Sequence, residues 1–346
     1  MVEFFLTKLT TKQHVSAYAS YALNKRTHYL EGSSSSLYGA NVDTLEDIIN
    51  KFKVTIINID EENMEMEFDM IGIGPPIANA IRRILLAEIP TMAIDKVHIY
   101  NNTTVIPDEV LAHRLGLIPI KVDPRLFVSK GNDEEGTEED TIQFELKVKC
   151  RKVTGKNIPE ADENSCIHSK VKSGDLKYVP IGNQKELYKD IRPVHDDILI
   201  SVMRPGHEID LNAFCYKNIG REHAKFSPVV VATYRLLPQL RLLHEISGER
   251  AHTLAKCFPP EVIKISKKRD KEIAKVADAR KIKCSRNFML HDELKDDIEV
   301  CTKKNHYIFT VESAGAVPPE ELVMESINVL REKCRFFLSE LKGLKV

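Results

Sequence analysis

Apolar residues recur at helical spacing between residues 75 and 89, and this pattern predicts one short helix. Pro75 and Pro76 can open it, because the first helical turn has amide hydrogens to spare, and Pro90 ends it. The apolar stripe consists of Ile77, Ile81, Ile84 and Leu85, and the polar residues largely off it are Asn79, Arg82, Arg83 and Glu88. The helix can therefore bury one face and present guanidinium groups on another, although a core helix with a solvated arginine pair has the same pattern.

Two strands are predicted before this helix. The run Val-Thr-Ile-Ile-Asn-Ile at 54–59 is typical of a strand. Over residues 64–70, methionine and phenylalanine alternate with acidic residues, which predicts a half-buried strand of period two. Residues 60–63 provide the turn, so a hairpin leads into the helix.

The segment after the helix is predicted to be mostly β. Further strands are expected at 97–100, 142–150, 175–179, 198–202 and 208–216, and a short helix at 108–115 that Gly116 closes in the left-handed conformation. Residues 117–224 therefore form an inserted, mostly β domain with long loops. A strand at 307–311 and a glycine turn precede the last helix.

The last helix starts at Pro318 and Pro319, where Glu320 and Glu321 favour the positive end of the helix dipole. Its apolar residues step alternately by four and three, which is the seam expected when one helix packs lengthwise on another. The seam residues are Val323, Ile327, Leu330, Cys334, Phe337 and Leu341. A helix that packs in the core of its own chain shows the same seam.

The composition of the chain disfavours several classes of protein. Fifty basic and fifty-one acidic residues leave a net charge of -1, which disfavours an autonomous nucleic-acid binder. No run of eighteen apolar residues occurs and the N-terminus lacks the layout of a signal peptide, so an intracellular, soluble chain is expected. The seven scattered cysteines do not suggest a disulfide framework and are expected to be reduced.

Candidate chemistry is sparse. Gly72 and Gly74 lack the further motif residues of a phosphate loop, and His113 has no nucleophile or carboxylate partner implied by sequence, so it is interpreted as structural. No hydrolase, metalloprotease or kinase signature occurs, and no enzymatic activity is expected. The acidic run 133–140 and the basic run 267–269 are interpreted as solvated surfaces, and residues 1–50, which include the run 32–36 of glycine and serine, as a flexible extension.

Several long blocks resemble the α-like subunits of multisubunit RNA polymerases. They lie at 79–94, 101–120, 204–213, 218–229, 232–238 and 311–321. Their combination is most similar to the α-like subunit shared by eukaryotic RNA polymerases I and III. One departure is Asn218-Ile219-Gly220, where the family usually has Gly-x-Gly, and asparagine is expected to tolerate the left-handed turn there.

The resemblance implies an α+β fold: a discontinuous α/β dimerisation domain made of 51–116 and 225–346, with an inserted mostly-β domain at 117–224. Relatives often carry a cysteine cluster in this insert that binds zinc or an iron–sulfur cluster. This insert has only Cys150, Cys166 and Cys215, without Cys-x-x-Cys, and Cys166 with His168 makes half a site at most. No metal or other cofactor is expected.

The resemblance also implies partners. The two apolar stripes, Ile77, Ile81, Ile84 and Leu85 and the six seam residues of the last helix, are expected to pair with a smaller α-like subunit over more than ~2,000 Å². Asn79, Arg82, Arg83 and Glu88 are expected to contact the second-largest subunit. The largest subunit and small zinc-binding polymerase subunits complete the expected partners, with no membrane, and with nucleic acid reached only through the complex.

The implied function is a non-catalytic assembly platform of polymerases I and III in the nucleus, including the nucleolus. The third subunit of polymerase II, or its archaeal equivalent, is the alternative within the family. An enzyme is disfavoured by the missing catalytic motifs. An autonomous DNA-binding regulator is disfavoured because no separate DNA-binding domain follows the last helix.

Overall fold

A computed structural model describes residues 45–131, 136–152, 166–188, 190–268, 271–283 and 285–343. The glycine–serine run at 32–36, part of the acidic run and Arg269 lie outside these ranges. The helices of the described chain, in order, are α1 (Leu45–Lys51), α2 (Pro75–Ala87), α3 (Asp108–Gly116), α4 (Gln184–Leu187), α5 (Glu249–Cys257) and α6 (Pro319–Gly343).

Each predicted strand has a counterpart in the structure, and the described chain contains eight further strands that were not predicted. They are β1 (Lys53–Asp60), β2 (Glu65–Ile71), β3 (Pro90–Asn102), β4 (Ile120–Lys121), β5 (Thr141–Lys149), β6 (Arg151–Lys152), β7 (Cys166–Ile167), β8 (Lys170–Lys172), β9 (Lys177–Val179), β10 (Arg192–Pro193), β11 (Leu199–Val202), β12 (Glu208–Ile219), β13 (Val229–Leu242), β14 (Ile263–Lys268), β15 (Lys271–Val276) and β16 (Ile298–Ser313).

Two four-stranded sheets dominate. One has the order β1-β2-β16-β13 and the other the order β3-β12-β5-β9, and the remaining described strands form two-stranded sheets. With helices and sheets both present, the predicted α+β class is confirmed.

The sheet β3-β12-β5-β9 illustrates how alternation produces the fold. β12 pairs antiparallel with β5, so that Leu211 faces Leu146. These two leucines are completely buried in a core shared with residues of β3 and α3. On the opposite face of the same strands, Lys147 bridges Asp210 at 2.6 Å. Side chains of period two thus place apolar residues inside and ion pairs outside.

The chain divides into two compact units. The described part of unit 1 comprises 45–58, Glu67–Ala78 and Tyr234–Phe309, and that of unit 2 comprises Ile59–Met66, Asn79–Thr233 and 310–343. The predicted insert 117–224 lies wholly in unit 2, whose limits do not coincide with the predicted boundaries at 116 and 224. The domain division given above therefore stays a prediction.

Two glycine-related expectations were wrong in detail. Gly116 is the last residue of α3 and does not adopt a positive φ, because the helix continues to the cap at Leu117, where φ is -85°. A Cβ at Gly116 would lie 3.3 Å from the carbonyl oxygen of Ile94, so close approach of the backbone accounts for the glycine. Asn218 belongs to β12 and is likewise not left-handed.

Candidate subunit interface

Helix α2 begins and ends as its prolines dictate. The amides of Ile77 and Ala78 both donate to the carbonyl of Gly74, at 3.2 and 3.3 Å, which closes the first turn. At the other end Pro90 already belongs to β3, and the amide of Arg221 donates to the carbonyl of Ala87 at 2.9 Å. The chain approaches so closely here that a Cβ on Gly220 would collide with the carbonyl oxygen of Leu86. Gly220 and Arg221, which directly follow β12, therefore close the C-terminal end of α2.

The apolar stripe of α2 is divided between the interior and the surface. Ile81 and Ile84 are 2% exposed and Leu85 is fully buried within this chain, whereas Ile77 is 45% exposed. The chain itself buries these three residues almost completely, and their assignment to a partner interface stays a prediction. Helical spacing identified a face that is buried, but it could not say that the chain buries most of it itself.

The polar residues of α2 also separate into two groups. The side-chain oxygen of Asn79 accepts hydrogen bonds from Nε and Nη2 of Arg82, at 3.1 and 2.9 Å. Glu88 receives Lys333 of α6, with Nζ 2.7 and 2.8 Å from its two oxygens. Arg83 is exposed and has no ion-pair partner within the described ranges. Arg83 is thus the guanidinium that α2 offers outward.

The start of α6 is anchored within unit 2. The hydroxyl of Ser313 donates to the carbonyl of Val317 at 2.5 Å and accepts the amide of Gly315 at 3.0 Å, which shapes the turn before the helix. Gly315 has φ of +99°, a conformation that suits glycine. Glu321 in the first turn pairs with Arg125 at 2.8 Å.

Burial decreases along α6. Leu322, Val323 and Ser326 are buried, at 2%, 8% and 0% exposure, so the start of α6 packs in the core of its own chain. The assignment of Val323 to a partner surface stays a prediction. Ile327 and Leu330 are half-buried. The C-terminal half then turns outward, and its exposed apolar or thiol side chains are Cys334, Phe336, Phe337 and Leu341.

We define the exposed α6 face as the half-buried Leu330 together with the exposed Cys334, Phe336, Phe337 and Leu341. Phe336 is 67% exposed, Phe337 55% and Leu341 48%, so large apolar groups remain in water on a helix whose other end is in the core. Sequence spacing identified four of these residues but missed Phe336, because the steps of four and three pass over it. The sequence feature that could have identified Phe336 is its position directly beside Phe337. Exposed apolar side chains grouped on one helix form a candidate interaction surface.

An ionic cluster lies within unit 1, on the strand that precedes α2. Arg280 donates to Glu67 at 2.6 Å and to Asp69 at 2.5 Å, and Nε2 of His306 lies 2.9 Å from the same Asp69 oxygen. Burial raises the pKa of Asp69, but the hydrogen bonds from Arg280 and His306 outweigh it, so the pKa lies below its ordinary value. Asp69 therefore stays ionised, and it joins β2 to β16 and to the turn at residues 279–281.

Within the described ranges, no group of three or more His, Cys, Asp or Glu side chains is placed to hold a metal ion. His113 is exposed and its ring meets His223 edge-on, with centroids 6.2 Å apart. No helix of the described chain is long and apolar enough to cross a membrane.

Comparison with known families assigns the chain by its sequence. A family model described as the RNA polymerase Rpb3/Rpb11 dimerisation domain matches residues 67–334. The chain belongs to this family.

Several members of the Rpb3/Rpb11 family cover most of the chain. The Mus musculus protein named DNA-directed RNA polymerases I and III subunit RPAC1 is 49% identical over 299 residues, which are 85% of this chain and 86% of that protein. The Saccharomyces cerevisiae protein of the same name is 43% identical over 292 residues, 82% and 86% of the two chains. DNA-directed RNA polymerase II subunit rpb3 of Dictyostelium discoideum is 27% identical over 314 residues, 87% and 97% of the two chains.

The Rpb3/Rpb11 match includes α2 and the first part of α6, and it ends at residue 334. Phe336, Phe337 and Leu341 lie just beyond it. The outermost part of the exposed α6 face is thus assigned by the structure and not by the family match.

Proposed function

We propose that this chain is a non-catalytic assembly subunit of DNA-directed RNA polymerases I and III, and that it pairs with a smaller α-like subunit. The observation that carries the proposal is the exposed α6 face. The chain belongs to a dimerisation family, and its helix α6 is anchored in the core at one end and leaves two phenylalanines in water at the other. A second chain is required to cover them.

The choice between polymerases rests on the relatives. Two proteins named as subunits of polymerases I and III are 49% and 43% identical to this chain over more than four-fifths of its length. The polymerase II subunit of Dictyostelium discoideum is 27% identical, and the archaeal subunit Rpo3 of Methanosphaera stadtmanae is 31% identical over 270 residues. The polymerase II or archaeal equivalent is therefore the second candidate. Its weaker likeness extends over a comparable part of the chain.

The proposed pairing surface is narrower than the two predicted stripes. It consists of the exposed α6 face and the half-buried Ile327, which all lie in unit 2. The buried residues of both helices support this surface from below and do not touch the partner. Burial over ~2,000 Å² is expected for a permanent pair of this kind, with the phenylalanines near its centre.

A second contact surface is proposed on the polar side of α2. Arg83 is exposed and is not held by a described acidic residue, so its planar fork suits carboxylate or carbonyl groups of the second-largest polymerase subunit. Asn79 holds Arg82, and Lys333 holds Glu88, so these four residues support the surface and leave Arg83 as its leading contact.

The wider assembly follows from the same proposal. The largest subunit and small zinc-binding subunits would join the pair, nucleic acid would be reached only through the complex, and the chain would be nuclear, with a nucleolar fraction carried by polymerase I. The predicted division into a discontinuous dimerisation domain and an insert at 117–224 belongs to this proposal as well.

Affinity purification of the tagged chain from its native cells tests the proposed identity, with the co-purifying proteins identified by mass spectrometry. The proposal expects the largest subunits of both polymerase I and polymerase III together with one small α-like subunit. Recovery of polymerase II subunits alone would transfer the chain to the second candidate. Recovery of no polymerase subunit would refute both.

A further inference from the structure

Residues 331–335 of α6 carry three cations, and their ion pairs are unequal. Nζ of Lys333 lies 2.7 and 2.8 Å from the two carboxylate oxygens of Glu88, which belongs to the same unit. Nη1 of Arg335 donates to Glu332 at 2.8 Å. Nε of Arg331 lies 3.8 Å from a carboxylate oxygen of the same Glu332, which is too far for a hydrogen bond. Arg331 is therefore the least well paired of these three cations.

The guanidinium of Arg331 also contains an unsatisfied donor. Its Nε is enclosed by the protein and has no hydrogen-bond acceptor among the described residues. The side chain as a whole is 29% exposed, so its accessible surface lies on atoms other than Nε. A guanidinium stays charged and only donates hydrogen bonds, and an enclosed donor without an acceptor costs free energy. The described part of the chain thus leaves the charge of Arg331 incompletely compensated.

Arg331 borders the seam of α6. It lies four residues after Ile327 and three before Cys334, and residues at these spacings are neighbours on a helix surface. Lys333 lies four residues before Phe337 and borders the other side of the seam. Among the described residues, the chain supplies a carboxylate at hydrogen-bond distance on the Lys333 side and none on the Arg331 side. The Arg331 side is therefore the one left for the acidic group of another chain.

We propose that the smaller α-like subunit supplies the carboxylate of an aspartate or glutamate to Arg331 when the two chains pair. This inference rests on the proposed function and adds a polar anchor to its pairing surface. A carboxylate suits the position, because its two oxygens can accept parallel hydrogen bonds from one guanidinium. Pairing also removes water from the contact, which strengthens a charge-assisted hydrogen bond.

The proposed contact provides specificity as well as affinity. The apolar seam residues can pack against many apolar helices and in more than one register, whereas a charged contact beside the seam favours one partner and one register. A helix that placed a lysine or arginine opposite Arg331 would bring two like charges together at the interface, which disfavours that pairing. The carboxylate thus selects the chain that covers the exposed α6 face.

The proposal is tested by titrating the isolated chain with the small α-like subunit that co-purifies with it. Arg331→Met keeps the apolar stem but removes the charge and the donors. It should raise Kd roughly 10- to 100-fold, the range expected for the loss of a hydrogen bond to a charged group. Lys342→Met is the matched control, because it removes one positive charge from an exposed position of the same helix outside the pairing surface. Its Kd should stay within about twofold of the wild-type value.

Charge exchange tests the chemistry of the contact. Arg331→Glu should weaken pairing more than Arg331→Met does, because it brings two carboxylates together. Acidic residues of the small subunit are then replaced by arginine, one at a time. One of these replacements should restore pairing with Arg331→Glu and weaken pairing with the wild-type chain. If no replacement restores pairing, the assignment of a partner carboxylate is overturned.

The outcomes separate this inference from the proposed function. If Arg331→Met pairs within about twofold of the wild-type Kd while Phe337→Ala weakens pairing, the inference is overturned and the proposed function stands. If the wild-type chain does not pair at all, both are overturned. If the Arg331 variants fail to fold, modification of the wild-type chain with phenylglyoxal decides. Arg331 should be modified in the isolated chain and protected in the pair, and equal modification in both would overturn the inference.

Discussion

Truncation of Phe337 tests the pairing surface quantitatively. A phenylalanine buries roughly 150–250 Å² when fully enclosed. With 55% of Phe337 exposed in the chain alone, about 110 Å² remains for a partner to cover. At ~25 cal/mol per Å² this burial contributes about 2.7 kcal/mol. Alanine retains part of the contact, so Phe337→Ala should weaken pairing by about 2 kcal/mol, which is roughly a 30-fold rise in Kd.

The assay is a titration of the isolated chain with the smaller α-like subunit, in which binding is measured by calorimetry or fluorescence anisotropy. Because more than half of Phe337 is already in water, the free energy of unfolding of the variant should change little. Leu290→Ala is the matched control, since Leu290 is 82% exposed but lies in unit 1 and belongs to neither of the proposed contact surfaces. A Kd within about twofold of the wild-type value, with the fold intact, would refute the assignment of this face.

Three further predictions concern the same helices and their supports. Leu330→Asp should abolish pairing in the same titration, because an unpaired charge buried at an interface costs several kcal/mol. Unchanged affinity would contradict the assignment of Leu330 to the pairing surface. Gly220→Ala should lower the free energy of unfolding in urea by about 1–3 kcal/mol, because the new methyl collides with the Leu86 carbonyl oxygen, whereas Gly343→Ala, in open space, should not. Asp69 has a lowered pKa in the folded chain, so its stabilisation is complete above its ordinary value of 3.8 and is lost as pH falls through its lower folded pKa. As the pH is lowered through that window, the urea midpoint of Asp69→Asn should therefore fall less steeply than that of the wild-type chain. The exposed Asp296→Asn is the control and should have the wild-type slope. An equal slope in all three proteins would exclude the effect.

Local patterns predicted much of the fold because they depend on neighbouring residues. Pro75 and Pro90 bracket α2 through their missing amide hydrogens, and the alternation around Met66 and Phe68 yields a strand with a buried face. β3 begins at Pro90, well before the predicted strand, because its pairing with β12 reaches Ile219 opposite Pro90. Long-range pairing of this kind leaves little trace in the sequence of one strand.

The candidate site was harder to predict than the elements that carry it. Helical periodicity identifies an apolar face but not the surface that covers it, so Ile81 and Val323 were grouped with Phe337 although the first two are buried in their own chain. Similarly, the contact of Asp69 with His306 and Arg280 joins residues from three separate segments. Such contacts depend on the folded arrangement, which spacing within one segment does not encode.

The most direct test of the account places a photo-cross-linking amino acid at position 337 of the tagged chain in its native cells. After irradiation, the account predicts a covalent adduct with one small α-like subunit, and this adduct should co-purify with the largest subunits of both polymerase I and polymerase III. The same amino acid at position 290 should give no such adduct. An adduct at 337 only with proteins outside the polymerases would contradict the account.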